Sequence, residues 1–500
     1  MSSFKSYFAK IFAAFIAGKI KRWSSRPLET QKRVFRDLIS SAKDTEFGKD
    51  HKFKTIKTYA DFIKNVPVRD YEKLKPYLTK VINGKPDILW EGQPRYFAKT
   101  SGTTSGVKYI PITDLSIKAQ VECSRNAALM YIHKTGNADF VDGKWMFLQG
   151  SPVLIEENGI KTGRLSGISA HYVPTYLLKN RMPTWDTNCV DDWEKKIDLI
   201  VNETVTENMT AIAGIPSWVQ MYFEKLIELK QQKVGEIFKN FNLFIFGGVN
   251  FEPYRAKFEN LIGRKVDSIE LYPASEGFFA FQDDQQQKGM LLQLNSGIFY
   301  EFIELNTFFQ ENRKRITLKD VKIGVDYVII ISSNAGLWAY NIGDTVQFTT
   351  TSPYRIIVSG RIKHFISAFG EHVIAKEVEQ ALTSSVKGTG VRVSEFTVAP
   401  EVNPKSGLPF HEWLIEFEAP PVHINQFAEK IDKELTRQNS YYLDLIKGKI
   451  LRPLKISVVV SGGFKHYMKS IGKLGGQNKT PRLSNDRTIA DYLHSNNLIK

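Results

Sequence analysis

The chain has 500 residues, 42% of them hydrophobic and 24% charged, so it is long enough for two or more domains of ordinary globular composition. Its two cysteines form no CxxC pair and its nine histidines show no HExxH spacing, which excludes a disulfide framework and zinc sites of these types. The net charge of +15 is spread along the chain without a nucleic-acid-binding module, so it indicates a nucleotide-using enzyme in preference to a nucleic-acid-binding protein. The cysteine usage fits a reducing cytoplasm.

The N-terminal segment Phe4–Trp23 mixes apolar and basic residues. Apolar side chains recur with the spacing of one helical face at Phe8, Phe12, Phe15, Ile16 and Ile20. The apolar stretch between Lys10 and Lys19 is too short to span a bilayer, and the segment lacks the features of a signal peptide. We expect an amphipathic helix packed on the body of the protein, in preference to a membrane-surface anchor, and a break at Arg26-Pro27.

Beyond Tyr59, short β-rich runs alternate with helical stretches, which predicts an α/β fold with helices covering the sheets. The predicted strands are Tyr96–Ala98, Lys144–Leu148, Leu243–Phe246, Ser268–Leu271, Tyr327–Ile331 and Arg355–Val358, and the predicted helices include Asp114–Lys134 and Pro216–Gln232. Near residues 359–364 the pattern changes to helices at Ile374–Thr383 and Ile424–Arg437 and strands at Trp413–Phe417 and Lys455–Val460. We therefore predict a large N-terminal α/β domain over residues 1–360 and a smaller C-terminal α+β domain over residues 361–500.

A loop rich in glycine, serine and threonine follows the first predicted strand. It comprises Thr100, Ser101, Gly102, Thr103, Thr104, Ser105, Gly106 and Val107, and it ends at Lys108. Small residues let consecutive backbone N–H groups and hydroxyls surround a polyphosphate, and a lysine can reach a β- or γ-phosphate. The glycine spacing is not that of a Walker A loop, and a flexible linker is the alternative interpretation.

This loop resembles the signature of the adenylate-forming superfamily, which includes acyl-CoA synthetases, peptide synthetase adenylation domains and luciferases. That signature reads Ser/Thr-Ser-Gly-Ser/Thr-Thr-Gly-x-x-Lys. Here an extra serine, Ser105, precedes the second glycine, and a single residue separates Gly106 from Lys108. The resemblance implies that residues Ser101–Lys108 bind the phosphates of ATP.

Further segments resemble motifs of the same superfamily in the same order. Phe246–Asn250 is similar to the segment whose glycines, here Gly247 and Gly248, let adenine lie against the backbone. Leu271–Gly277 resembles the Tyr-Gly-x-Thr-Glu motif. The resemblance implies that Tyr272 stacks on adenine, that Ser275 bonds the α-phosphate, and that Glu276 holds Mg²⁺, a cation that prefers carboxylate and phosphate oxygens.

Tyr340–Asp344 resembles the Tyr-Arg-x-Gly-Asp motif, in which the aspartate takes both ribose hydroxyls. A carboxylate has two acceptor oxygens and can hold a vicinal diol. Asn341 replaces the usual arginine, a change that we expect not to affect Asp344. Gly360–His364 resembles the segment joining the two domains of the superfamily, which implies a ribose contact for Arg361 and the hinge position for Lys363. Glu377-Val378-Glu379 follows at the distance expected for the end of that motif.

The C-terminal part of the chain resembles one branch of the superfamily, the plant auxin-responsive acyl-acid amido synthetase family. Leu451–Val460 with Gly462–Phe464 is similar to its Pro-Leu-x-Val-x-Val-Val-x-x-Gly-x-Phe run, apart from Ile456 at the first valine. Gly475–Arg482 is similar to its closing Gln-x-Lys-x-Pro-Arg segment. The resemblance extends from about Phe97 to Arg482, including Leu337–Tyr340 and the aromatic strand Phe299–Phe302, whose Phe299 we assign to the nucleotide site.

The resemblance implies that Lys479 meets the α-phosphate and the acyl carboxylate. A cation between two reacting anions stabilises the charge that develops in the transition state. With ATP and Mg²⁺, the enzyme would form an acyl-adenylate of a small carboxylic acid, with Lys479 and Glu276 as catalytic residues. After the C-terminal domain pivots about Lys363, an amino acid would accept the acyl group. The alternatives are an acid–CoA ligase and a non-catalytic nucleotide-binding homologue.

Candidate residues for an acyl pocket lie between the loop and the adenine segment. They are His171, Tyr172, Ile215 and Trp218. Because apolar pockets discriminate weakly between similar hydrophobic acids, these residues do not identify the acid. We expect a cytoplasmic ligase that binds a carboxylic acid and an amino acid, with no nucleic-acid partner and no integral membrane segment.

Overall fold

A computed structural model describes residues 4–101, 107–173, 175–248, 251–362, 365–366, 373–402, 404–448, 451–475, 479–484 and 486–500. The chain forms two compact units, the first comprising Met1–Val249 and Ile262–Val358 and the second comprising Asn250–Leu261 and Ser359–Lys500. The predicted boundary after residue 360 lies close to this division. The sequence analysis did not foresee that the segment 250–261 belongs with the second unit.

Within the second unit, an ion pair joins the segment 250–261 to Glu418, and two aromatic rings of the segment pack on each other. The Nζ of Lys257 lies 3.8 Å from an Oε atom of Glu418, and the rings of Phe251 and Phe258 pack 5.0 Å apart. Glu418 is more than 150 residues further along the chain. Because Lys257 and Glu418 are so distant in sequence, local periodicity does not predict their ion pair.

The first unit alternates helices with strands, as predicted. Its helices are α1 Phe4–Ser24, α2 Pro27–Ala42, α3 Glu46–Asp50, α4 Tyr59–Asn65, α5 Tyr71–Ile82, α6 Asp114–Thr135, α7 Leu165–Ala170, α8 Thr175–Leu178, α9 Trp185–Asn188, α10 Trp193–Thr204, α11 Pro216–Lys230 and α12 Val234–Ile237; α13, Glu252–Ile262, falls almost entirely in the segment 250–261. Its strands are β1 Tyr96–Ser101, β2 Val107–Ile112, β3 Lys144–Leu148, β4 Ile155–Glu157, β5 Ile160–Gly163, β6 Arg181–Met182, β7 Met209–Gly214, β8 Leu243–Gly247, β9 Asp267–Ala274, β10 Gly277–Phe281, β11 Met290–Leu292, β12 Ile298–Glu304, β13 Asp326–Ser333, β14 Tyr340–Thr351 and β15 Tyr354–Arg361.

The predicted helix over Asp114–Lys134 is confirmed as α6. Thr113 caps its N-terminus by accepting a hydrogen bond from the N–H of Ser116, and Gly136 ends it with a left-handed φ of 73°. The predicted helix from Pro216 ends at Lys230, because Gln231 adopts a left-handed φ of 54°. All six predicted strands of this unit lie within observed strands.

Two sheets organise the first unit. In the described residues, the larger has the strand order β12-β13-β14-β15-β11-β10-β9-β8-β7-β3-β6, and the smaller has the order β2-β1-β5-β4. The strands β3, β7, β8 and β9 are parallel to one another, and β10 turns back antiparallel to β9. The parallel part therefore has one edge at which all four carboxyl ends meet.

The helix α1 packs on the body of the first unit, as expected, but with a different face. Ala13, Ile16, Ala17 and Ile20 are buried in a core cluster that includes the C-terminal part of α6. The assignment of Phe8, Phe12 and Phe15 to that buried face is wrong, since all three rings are exposed. The helix is apolar on two sides, so periodicity alone could not show which side is buried; the small alanines allow the closer approach. Among the described residues no helix is long and apolar enough to cross a membrane.

The second unit has the predicted α+β composition. Its helices beyond α13 are α14 Ala375–Val386, α15 Ile424–Gln438, α16 Ser440–Lys447, α17 Gly463–Ser470 and α18 Thr488–Ser495; its strands are β16 Phe365–Ile366, β17 Val373–Ile374, β18 Arg392–Glu401, β19 Phe410–Ala419 and β20 Lys455–Val459. The strands β18, β19 and β20 form a sheet in that order. Trp413 and Phe396 of this sheet share one core cluster with Ile431 and Leu435 of α15.

Candidate active site

The carboxyl ends of β7, β8 and β9 bring three predicted segments to one edge of the larger sheet. Ile215 directly follows β7, Gly247 is the last residue of β8, and Ser275 and Glu276 form the turn after β9. In open α/β sheets, ligands bind at the carboxyl edge of the parallel strands. This edge is therefore the candidate nucleotide site of the first unit.

The two glycines after β8 have a structural reason to be glycine. Gly247 pairs with Leu271 of β9, and a Cβ atom at residue 247 would lie 2.6 Å from the carbonyl oxygen of Leu271. Gly248 has a φ of 79°, which disfavours other residues. Close strand packing thus accounts for Gly247, and the exposed backbone of Gly248 is left at the sheet edge next to Tyr272.

The segment Tyr340–Asp344 forms a bulge in β14. Asn341 lies opposite Ile330 of β13, whereas Thr345 lies opposite Val328, so β14 has extra residues between these pairs. Gly343 adopts a φ of 89° within the bulge. Bulges bend a strand and redirect its side chains, often beside active sites. The bulge decides where the side chain of Asp344 points.

Asp344 and Tyr272, two of the predicted nucleotide-binding residues, are in direct contact. The hydroxyl of Tyr272 donates a hydrogen bond of 2.7 Å to Oδ2 of Asp344, and both side chains are buried. Three strands separate β14 from β9 in the sheet order, so the contact requires the sheet to curve and the bulge to turn Asp344 inward. A carboxylate oriented in this way is suited to accept hydrogen bonds from a vicinal diol.

Asn341, which we expected not to affect Asp344, makes a hydrogen bond within this bulge. Its Oδ1 accepts a hydrogen bond of 2.9 Å from the N–H of Gly343. An asparagine side chain that bonds the backbone two residues on stabilises a turn locally. The residue that replaces the usual arginine therefore shapes the backbone directly before Asp344.

We expect Asn341→Ala to weaken ATP binding about 2- to 10-fold, because a neutral hydrogen bond contributes ~0.5–1.5 kcal/mol to the conformation that it stabilises. Isothermal titration calorimetry with ATP measures the change. Asn137→Ala is the matched control, since Asn137 makes the same type of bond, 3.0 Å from its Oδ1 to the N–H of Asp139. Equal affinities of Asn341→Ala and the parent would show that the bulge forms without this bond.

A second cluster surrounds the buried hydroxyl of Tyr340, at the start of β14. Burial raises the pKa of Tyr340 well above its ordinary value, and the negative charge of nearby Glu276 raises it further. Tyr71, the first residue of α5, also acts on this group. Glu276, from the turn between β9 and β10, is thus placed beside the bulged strand.

The hairpin of β1 and β2 is joined to the same cluster through Tyr71. Thr100 lies opposite Lys108 in this hairpin, and Ser101 lies opposite Val107. The N–H of Tyr109 donates a hydrogen bond of 3.0 Å to the hydroxyl of Tyr71, and the Nζ of Lys108 lies 5.5 Å from the centroid of the Tyr71 ring. Lys108 therefore lies beside the ring of Tyr71, one of the groups that raise the pKa of Tyr340.

The sequence analysis missed the contribution of Arg69 and Tyr71. The N–H of Arg69 donates to the carbonyl of Ala339 at 3.0 Å, and the N–H of Asn341 donates to the carbonyl of Arg69 at 2.7 Å. These bonds join the entry to α5 to the start of β14. The local signal was Asp70, which caps α5 by accepting from the N–H of Lys73. This cap predicts where α5 begins, but it does not predict that the start of α5 contacts β14.

Several predicted residues are placed only in part or lie elsewhere. Gly102, Thr103, Thr104, Ser105, Gly106 and the hinge residue Lys363 lie outside the described residues; Ser101 and Arg361 are described only as the ends of β1 and β15. Phe299 packs against Phe35 of α2 at 4.8 Å and Tyr59 of α4 at 5.9 Å, which is a core environment. Lys479 is an exposed residue of the second unit, between α17 and α18.

Three of the four acyl-pocket candidates have side-chain contacts that the structure describes. Tyr172 donates a hydrogen bond of 3.2 Å to the hydroxyl of Tyr96. Tyr96 begins β1, about 16 Å from the loop end of the hairpin at about 3.3 Å per residue. Nε2 of His171 lies 3.0 Å from the carbonyl oxygen of Pro152. Trp218 is only 4% exposed and packs against Trp193, so little of its surface can contact a ligand. Ile215 directly follows β7 at the carboxyl edge of the sheet, and Trp218 lies in the first turn of α11 next to it, its N–H donating to the carbonyl of Ile215 at 3.0 Å.

Comparison with protein families gives matches over most of the chain. Residues 16–191 match the GH3 family N-terminal domain, residues 291–361 match the GH3 family central domain, and residues 376–488 match the GH3 family C-terminal domain. These ranges contain the loop before Lys108, the bulge at Asp344 and Lys479.

Comparison with curated proteins gives relatives that carry the GH3 name, and comparison with solved structures gives similar folds. The chain is 21% identical to indole-3-acetic acid-amido synthetase GH3.3 of Arabidopsis thaliana, with 93% of this chain and 91% of the relative covered. It is also 21% identical to jasmonoyl–L-amino acid synthetase GH3.5 of Oryza sativa subsp. japonica, with 84% and 86% covered. The structure of GH3.15 acyl acid amido synthetase matches with a TM-score of 0.80 and 17% identity over 98% of this chain and 96% of that one. A 2-hydroxyisobutyryl-CoA ligase in the postadenylation state matches with a TM-score of 0.60 and 13% identity over 94% and 92%.

Proposed function

The chain belongs to the GH3 family, and from this premise we propose that it is an AMP-forming ligase that activates a small carboxylic acid as an acyl-adenylate and transfers the acyl group to an amino acid. The family resemblance inferred from the motifs is thereby confirmed. The observation that carries the proposal is the buried hydrogen bond between Tyr272 and Asp344. It unites two motifs that are 72 residues apart in the chain, at the edge where α/β sheets bind ligands.

Asp344 and Tyr272 form the proposed nucleoside site. The carboxylate of Asp344 accepts the ribose hydroxyls, and the Tyr272 hydroxyl fixes its orientation before the nucleotide arrives. In this proposal one side of the Tyr272 ring contacts adenine. In the structure the same ring packs edge-to-face on Phe279, with ring centroids 5.0 Å apart. The exposed backbone of Gly248 lies beside this position, and Arg361, at the end of β15, adds a ribose contact. Pre-oriented groups bind a ligand with less loss of conformational freedom.

The phosphate site is proposed at the hairpin of β1 and β2, where residues Ser101–Lys108 approach the triphosphate and Ser275 bonds the α-phosphate. Glu276 suits Mg²⁺, because that ion needs only one or two protein carboxylates in addition to phosphate oxygens and water. The described residues contain no cluster of three or more His, Cys, Asp or Glu side chains that could hold a metal alone, which fits a cation bound together with ATP. The bound ion would neutralise phosphate charge there.

The first half-reaction joins the acid to AMP. A carboxylate oxygen of the acid attacks the α-phosphorus of ATP, the bond from that phosphorus to the bridging oxygen breaks, and pyrophosphate leaves. Two anions must approach each other, so cations that act where the charge develops lower the barrier. We assign this role to Lys479, with Lys108 acting on the outgoing phosphates.

The second half-reaction forms the amide. The neutral amine of an amino acid attacks the acyl carbon, the bond to the AMP oxygen breaks, and the amine gives up a proton. AMP is a far better leaving group than a carboxylate oxygen, which is why the route through an adenylate splits one difficult step into two easier ones. Rotation of the C-terminal domain at Lys363 would remove Lys479 and admit the amine.

The substrate class rests on the relatives. Their names specify indole-3-acetic acid and jasmonoyl groups on the acyl side, and an amide or an amino acid on the acceptor side. The TM-score of 0.80 to the amido synthetase fold against 0.60 to the CoA-ligase fold favours an amine over a thiol. A cytoplasmic location fits the two free cysteines; burial raises the pKa of the Cys123 thiol to about 12, which keeps it unreactive.

The test is a screen for acid-dependent release of pyrophosphate from Mg·ATP. Aromatic, alicyclic and straight-chain carboxylic acids, including indole-3-acetic acid, are each supplied alone and then with a mixture of amino acids or with CoA, and products are identified by mass spectrometry. We expect at least one acid class to release pyrophosphate and to give an amide only when amino acids are present. A thioester product would establish the CoA-ligase alternative, and ATP binding without pyrophosphate release from any acid would establish a non-catalytic homologue.

A further inference from the structure

The helix α1 has a second apolar face, which the described part of the chain leaves largely exposed. Its buried face is formed by Ala13, Ile16, Ala17 and Ile20. The opposite side, which we call the outer face of α1, consists of Phe4 (79% exposed), Tyr7 (60%), Phe8 (51%), Ile11 (52%), Phe12 (41%) and Phe15 (56%). Exposed apolar side chains that occur singly are ordinary, but a continuous row of large ones marks an interaction surface.

The outer-face rings contact one another and nearby basic side chains, among them Arg125 of α6, whose Cζ lies 5.6 Å from the centroid of the Phe12 ring. Phe4 and Phe8 lie edge-to-face with ring centroids 4.6 Å apart, and Phe12 and Phe15 are stacked at 6.4 Å. Meanwhile the helix is held firmly by its inner face: the hydroxyl of Ser6 donates to the carbonyl of Ala138 at 3.1 Å. The outer face is therefore a fixed, preformed apolar ridge that needs no unfolding of the helix to become available.

Basic residues border this ridge on both sides. At about 100° per residue, Lys5 and Lys19 lie along one border of the outer face and Lys10 and Lys21 along the other. All four are exposed, Arg22 adds a further charge in the last turn, and the helix contains no aspartate or glutamate. The Nζ of Lys19 lies 4.4 Å from the centroid of the Phe15 ring, so charge and apolar surface meet directly.

We propose that the outer face of α1 docks on an anionic lipid surface. Aromatic and aliphatic side chains of such helices enter the boundary between headgroups and acyl chains, while flanking lysines meet the phosphates and carboxylates of the lipids. A second copy of this chain is the less favoured occupant, because two such helices would bring their exposed lysines together without acidic partners on either one. The inner face stays packed on α6, so the whole first unit is held at the membrane surface.

The test uses the full chain and vesicles of phosphatidylcholine with about 30% phosphatidylserine, compared with pure phosphatidylcholine. In co-sedimentation, we expect binding to the anionic vesicles to exceed binding to the neutral ones at least about tenfold, and to fall when NaCl is raised from about 0.1 M to about 0.5 M. Absence of binding to the anionic vesicles at low salt would overturn the proposal.

The triple variant Phe4→Ser, Phe8→Ser, Phe15→Ser removes apolar surface from the outer face and leaves the buried face intact. We expect its partition onto anionic vesicles to fall at least about tenfold, since each ring loses its burial in lipid. The matched control, Phe309→Ser, Ile323→Ser, Val422→Ser, removes side chains that are 64%, 59% and 92% exposed elsewhere, and it should bind as the parent does. Thermal unfolding monitored by circular dichroism confirms that both variants fold.

Two results would contradict the proposal. If both triple variants bound the anionic vesicles as well as the parent, the attraction would come from the general positive charge and not from the outer face. If analytical ultracentrifugation showed a dimer that only the α1 variant abolished, the occupant of the outer face would be a second copy of the chain. A variant that fails to fold is replaced by the single change Phe8→Ser, judged by the same measurements.

Discussion

Lys479→Ala should reduce acid-dependent pyrophosphate release about 10²- to 10³-fold, because a group that stabilises developing charge in a transition state is typically worth that much in rate. ATP binding should change little, since most of the proposed adenine, ribose and phosphate contacts, Arg361 excepted, belong to the first unit and Lys479 belongs to the second. Pre-steady-state measurement of acyl-adenylate formation and calorimetric titration with ATP separate the two effects.

The second half-reaction distinguishes a catalytic lysine from a structural one. If Lys479 leaves the site before the amine arrives, the variant supplied with chemically made acyl-adenylate should still form amide at nearly the parental rate. Lys473→Ala is the control, because Lys473 is an exposed lysine of the same segment with no assigned role. Equal losses in both half-reactions would reject the proposed division between them.

Asp344→Asn should weaken ATP and AMP binding roughly tenfold or more, since hydrogen bonds to a charged group contribute ~1.5–3 kcal/mol. The substitution keeps the shape of the side chain but removes its charge and one acceptor. The structure adds a second consequence: the buried hydroxyl of Tyr272 loses its carboxylate partner. Nucleotide affinity is measured by isothermal titration calorimetry at the same ionic strength for both proteins.

Tyr272→Phe isolates the orienting bond, because it removes the hydroxyl and keeps the ring. We expect it to weaken binding less than Asp344→Asn, and the double variant to lose less than the two single losses combined, since both act through one hydrogen bond. Melting temperatures measured without nucleotide control for a general loss of stability. AMP affinity unchanged in Asp344→Asn would show that the third motif has been assigned wrongly.

Motifs made of consecutive residues could be predicted from the sequence, because the interactions that define them are between near neighbours. The segment Lys144–Leu148 is mostly apolar and follows a glycine, a pattern that predicts a strand. The structure contains this strand with the same bounds. Thr113 and Gly136 likewise delimit α6 through bonds to their near neighbours. The order of the motifs was enough to identify the family, since their spacing along the chain needs no knowledge of the sheet.

The arrangement of the site needed contacts between distant segments. The hydrogen bond of Asn341 to Gly343 was not predictable from the sequence. It depends on a bulge, and the bulge forms only when β14 pairs with β13. The sequence around Arg69 and Tyr71 does not predict that this segment contacts the start of β14. The bridge between Arg69 and Tyr340 joins residues some 270 positions apart. Phe299 carried the aromatic pattern of the family, but its place against α2 and α4 follows from packing.

By itself, the sequence determined the α/β alternation, the positions of several helices and strands, and the family, because each depends on periodicity or on short motifs. Only the tertiary structure decided that Tyr272 and Asp344 meet, that Tyr71 joins the Lys108 hairpin to Tyr340, and which side of α1 is buried. The helix has two apolar sides, and the sequence gives no means of choosing between them until one side has packed against α6. Contacts across a curved sheet likewise join residues that are distant in sequence. They can therefore not be predicted from any short segment of the chain.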